Sequence, residues 1–154
     1  MKNLKAIRIA LGALVVSGAS LVMACGEPKK AGDDLNAMKD ETMAIHDEIM
    51  PQVSAFDRQT VKIDSLLAAM PSVLEKNPAI DTTALKLDLT QLKARLEGAT
   101  DQMMEWMMKY ELDPEGMTEE EKKAYFSSEL EKVRNMRELF AEVNKEAAEK
   151  LSGL

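Results

Sequence analysis

A heptad seam of apolar residues between Leu85 and Tyr110 limits what this chain can fold into. Leu85, Leu89, Leu92, Leu96, Ala99, Met103, Trp106 and Tyr110 follow one another at alternating spacings of four and three. An α-helix turns once per 3.6 residues, so this spacing gathers them all on one face. Sustained over more than three heptads, it is the pattern of a helix packed along its whole length on other helices.

The segments on either side carry matching stripes. Leu35, Met38, Ile45, Ile49, Val53, Phe56, Ile63, Leu66 and Met70 mark a first helix from about Asp34 to Met70. Pro51 lies inside it and removes a backbone donor, so this helix is expected to kink or split there. Pro71 and Pro78 bracket a break, and Asp81 offers an N-cap for a second helix from about Thr82 to Tyr110. Asp113-Pro114-Glu115-Gly116 reads as a turn. Thr118 and Glu121 form a capping box, and Glu119 and Glu120 suit the positive end of a helix dipole. The third helix runs to about Leu151 on Phe126, Leu130, Val133, Met136, Phe140, Val143, Ala147 and Leu151. No segment alternates with period two, so no sheet is expected. Short connections make successive helices antiparallel. The expected fold is all-α: an antiparallel up-down-up three-helix bundle of long, coiled-coil-like helices. At about 1.5 Å per residue they would be roughly 43 to 55 Å long, packed left-handed near about +20°. The charged runs Glu119-Glu120-Glu121-Lys122-Lys123 and Glu129-Leu130-Glu131-Lys132 are expected on solvated faces.

The N-terminus has a different composition. Lys2, Lys5 and Arg8 precede an apolar run from Ile9 to Ala24, broken by Gly12, Ser17, Gly18 and Ser20. The run ends in Leu21-Val22-Met23-Ala24-Cys25, which resembles a lipobox with the required small residue before the cysteine. It is short and interrupted for a spanning helix, which needs about 20 apolar residues. Residues 1–24 therefore read as a lipoprotein signal peptide and Cys25 as the lipidation site. Residues 25–33, with Pro28 and Gly32, read as a flexible tether, and residues 34–154 as the helical domain. A thioether-linked diacylglycerol and an amide-linked acyl chain of the palmitate class would anchor Cys25. Each buried methylene contributes about 0.8 kcal/mol, and stable anchoring takes more than one chain. Gly26 is not the aspartate that favours inner-membrane retention, so the expected location is the bacterial envelope, at the outer membrane.

Charge narrows the partners. The chain carries 20 basic and 27 acidic residues, net −7. Without Lys2, Lys5 and Arg8 the remainder has 17 basic residues against 27 acidic ones, net −10. Nucleic acid and anionic headgroups demand a basic face, so neither is an expected partner. Catalysis is also hard to build here. There is one histidine, and the one cysteine is committed to lipid. No Ser-His-Asp arrangement, Gly-rich phosphate loop or zinc spacing is present in the sequence. The chain does not read as an enzyme, and no cofactor is required.

The residues left with distinctive chemistry are His46 and the methionines. Met103, Met104, Met107 and Met108 surround Trp106, while Met38, Met43 and Met50 surround His46. With the first connection centred near residue 76, His46 falls level with Trp106, and Met50 level with Gln102 and Met103. With the second centred near residue 114, Tyr125 and Phe126 fall level with Met103, and Met136 lies near the opposite end of the bundle. Thioether sulfur and imidazole suit monovalent copper. His46 with Met50, and Met103 with Met107, are each spaced to present two donors from one helix face, with Trp106 alongside to stabilise a cation. The simpler reading is core packing, in which methionine fills gaps in an aliphatic seam.

Two segments resemble a known family. Ala44-Ile45-His46-Asp47-Glu48-Ile49-Met50-Pro51 and Met103-Met104-Glu105-Trp106-Met107 look like the signature segments of small Bacteroidetes lipoproteins of unassigned function, often labelled viral A-type inclusion proteins. The resemblance covers nearly all of the chain after Cys25. It implies the anchor and the helical architecture, and supplies no activity or ligand. The family's usual lysine-methionine after the proline is Gln52-Val53 here. Two functions are thus expected in outline. One is a lipid-anchored, non-catalytic helical interaction or scaffold module with a protein partner. The other is a periplasmic metal-handling protein binding monovalent copper at His46, Met50, Met103 and Met107.

Overall fold

The computed structural model describes residues 31–79 and 81–152. The expected signal, Cys25 and residues 26–30 of the tether lie outside the described residues. Three helices follow in order: α1 (Ala31–Lys76), α2 (Thr82–Lys109) and α3 (Glu119–Leu151). Each packs against both others, and no strand occurs among the described residues. Lys93 on α2 reaches Asp64 on α1 at 2.6 Å, Arg95 on α2 reaches Glu146 on α3 at 2.6 Å, and Lys123 on α3 reaches Asp34 on α1 at 3.8 Å. These pairings make α1 and α3 parallel to each other and antiparallel to α2. The fold is the expected all-α up-down-up bundle.

The heptad seam of α2 is the centre of the core. Leu89, Leu92, Leu96, Ala99, Met103 and Trp106 are buried, while Leu85 and Tyr110 are half-buried at its ends. Ile49, Phe56 and Ile63 of α1 and Val133, Phe140 and Val143 of α3 close around them. Phe56 and Phe140 stack at 4.9 Å between ring centroids. The α1 stripe contains one polar member, Thr42, fully buried because its hydroxyl donates to the Met38 carbonyl at 2.8 Å. This back-bond satisfies the hydroxyl without a second residue.

α1 continues through both of its prolines. The helix is not split at Pro51 and does not end before Pro71; it runs 46 residues, about 69 Å, to Lys76. Each proline removes one i→i−4 bond. Around Pro51 the buried Ile49 and Val53 hold the backbone in register on both sides. The helix also includes Ala31, Gly32 and Asp33, which the sequence assigned to the tether. The caps follow the sequence. Asp81 accepts from Thr83 N and Ala84 N, and Thr118 and Glu121 complete a reciprocal capping box. Gly116, at φ +76°, turns the second connection, where a side chain would be strained.

The second connection does not fold back symmetrically about residue 114. Tyr110 leaves α2 in an extended conformation, and Glu111 N donates to the Tyr125 hydroxyl at 2.8 Å. Residues 110–118 therefore climb beyond the end of α2, and the first turns of α3 lie beside them. Phe126 comes level with Tyr110 (ring centroids 6.4 Å) rather than with Met103, and Met136 comes beside Trp106 rather than at the far end. Among the described residues, no helix is long and apolar enough to cross a membrane.

Candidate functional site

Trp106 sits where all three helices meet near the end of the bundle at which α1 begins. Its place on the α2 seam turns the indole inward, with α1 on one side and α3 on the other. On the α1 side its ring lies 5.9 Å from that of His46, as the first hairpin requires. On the α3 side its Nε1 donates to Glu129 Oε2 at 2.8 Å. A buried indole N–H needs an acceptor, and Glu129 supplies it. Glu129 is only 5% exposed, so the expectation of a solvated Glu129 fails. Its other oxygen takes Lys132 Nζ at 2.6 Å, which offsets the cost of the buried charge. The signal for this pair was present in the sequence. Glu129 lies three residues after Phe126 and beside Leu130, on the margin of the α3 stripe, opposite a tryptophan that needed a partner.

The aromatic run continues from Trp106 to Tyr110 at 4.7 Å and from Tyr110 to Tyr125 at 6.4 Å. Lys39 Nζ stands 4.6 Å over the Phe126 ring. The Tyr110 hydroxyl is buried and has no hydrogen-bond partner among the described residues. Burial pushes its phenol above the ordinary range, and Tyr125 and the Glu129 carboxylate push in the same direction.

The indole separates two openings. On the α2–α3 side a groove of about 470 Å³ is floored by Trp106, Met136 and Leu139 and edged by Glu105, Lys109, Lys132 and Asn135. On the α1–α2 side a cleft of about 230 Å³ is lined by Met43, His46, Trp106, Met107, Tyr110 and Leu112. The structure thus brings His46, Met107 and Trp106 together. Met103 is fully buried in the core and Met50 packs against it; neither lines the cleft. Met43 takes their place. His46 lies at the expected level beside Trp106, but Met50 and Met103 face the core rather than the cleft. Met43 lies one turn before His46, on the side turned to α2. Among the described residues, no group of three or more His, Cys, Asp or Glu side chains is placed to hold a metal ion.

His46 Nδ1 lies 3.0 Å from Asp47 Oδ1. An ionised carboxylate only accepts, so Nδ1 carries the proton and, in the neutral ring, Nε2 keeps its lone pair. Beside the cleft, Met104 and Met108 on the last turns of α2 are exposed, as are Met107 and Leu112 at its lining, and Met108 is 80% exposed. No family model matches the chain, and no curated protein or solved structure is significantly similar to it.

Proposed function

We propose that the chain is a lipid-anchored protein of the bacterial envelope, of the small Bacteroidetes lipoprotein kind, acting as a non-catalytic helical interaction module. The observation that carries this reading is the cluster of exposed apolar side chains at the end of α2 and just after it, Met104, Met107, Met108 and Leu112. Contiguous exposed apolar side chains mark docking surfaces, and methionine adapts its flexible side chain to varied partners. The face lies at the end where α1 begins. Cys25 precedes Ala31 by six residues, a reach of at most about 22 Å. A lipidated Cys25 would therefore hold this end at the outer membrane, and the net negative charge disfavours its lying flat on an anionic surface. The partner is a protein that offers an apolar helix face.

The test is site-specific photocrosslinking in intact envelopes. A crosslinking side chain at position 108 should give a discrete protein adduct, and one at Lys145, exposed on α3, should not. Adducts to lipid alone at 108, or the same products from both positions, would contradict an interaction module.

A further inference from the structure

We propose that the cleft between α1 and α2 binds one monovalent copper ion through Met43, His46 and Met107, with Trp106 as its aromatic wall. The three residues provide two thioethers and one imidazole, the soft and borderline donors that suit Cu(I). No carboxylate lines the cleft, so it lacks the hard oxygen ligands sought by magnesium and calcium. The donor set is neutral and matches a singly charged ion.

Two further observations point to a ligand. A metal-binding histidine characteristically donates its other ring N–H to a carboxylate, which fixes the tautomer and orients the ring. His46 does this through Nδ1 to Asp47 at 3.0 Å, and it makes no other hydrogen bond among the described residues. Its ring also stands 5.9 Å from that of Trp106, so the indole borders the imidazole, and an indole face stabilises a cation beside it. The indole is itself held by Glu129, so it is a fixed wall. Entry is open, because Met107 is 39% exposed at the mouth. The site does not depend on the docking reading, since its donors belong to this chain alone.

The experiment uses the mature protein, with Cys25 acylated and so without a competing thiol, in detergent under anaerobic conditions, titrated with Cu(I) held by a chromophoric chelator, with silver(I) as a redox-inert second probe. Trp106, the single tryptophan, should be quenched with an endpoint at one equivalent, while the chelator reports the affinity. Met43→Leu, His46→Ala and Met107→Leu should each weaken binding at least tenfold. Met50→Leu and Met108→Leu should change it less than twofold. Met→Leu roughly conserves volume, so the Met107 variant remains informative even if His46→Ala unfolds, and helical circular dichroism confirms the fold. Failure of the chelator to lose copper to the folded protein would overturn the proposal. So would a Met50 effect equal to those of Met43 and Met107.

Discussion

Trp106 Nε1 donates to Glu129 Oε2 across the α2–α3 interface at 2.8 Å. This bond fixes the indole between two openings and sets the register of the second hairpin. Removing the acceptor strands a buried donor, so Glu129→Ala should cost about 1–3 kcal/mol. Glu129→Gln keeps an oxygen for the indole and should cost less. Denaturant unfolding followed by Trp106 emission distinguishes the two, and equal losses would mean that the bond contributes nothing.

Leu92 is fully buried at the middle of the seam. Leu92→Ala should destabilise the bundle by about 2–5 kcal/mol. A change below about half a kcal/mol would place the seam at a solvent face.

The capping box makes the start of α3 sensitive to acid. Thr118 N donates to Glu121 Oε2 at 2.7 Å. That backbone bond, and then the Thr118 hydroxyl, hold the Glu121 carboxyl below its ordinary value of 4.5. A lowered folded value adds stability that is complete above the ordinary carboxylate range and is lost as pH falls through the lowered value. Thr118→Ala should therefore lower the unfolding midpoint at neutral pH, and the gap to the parent protein should narrow on acidification. A gap independent of pH would rule out the carboxylate as its source.

Cys25→Ser should abolish acylation and leave the precursor unprocessed. Metabolic labelling with a fatty acid checks this directly, and equal label in both proteins would mean that the cysteine is not the anchor.

The sequence made the fold legible because apolar spacing on Leu89, Leu92, Leu96, Val133 and Phe140 encodes helix faces directly. Asp81 and Thr118 marked helix starts for the same local reason. α1 runs unsplit through Pro51, which the buried Ile49 and Val53 flank, and continues past Pro71, where the end of the apolar stripe had suggested a break. The site was half legible. The first connection placed His46 at Trp106 correctly, because α1 and α2 fold back closely. The second displaced Met136 and Phe126, because residues 110–118 run on past α2 before α3 begins. A symmetric turn cannot capture that extension, so the level at which Glu129 meets Trp106 was hidden, though its place on the margin of the α3 stripe was not.

His46 and Trp106 meet across the α1–α2 interface, and both the first hairpin and the cleft depend on that meeting. The chain has one histidine and one tryptophan, so proton–proton Overhauser contacts between imidazole and indole can be assigned without ambiguity. Ring centroids 5.9 Å apart predict cross-peaks between the two rings, with the indole N–H signal altered by Glu129→Ala. Cross-peaks from Trp106 to α3 side chains but none to His46 would contradict the first hairpin register, and with it the cleft.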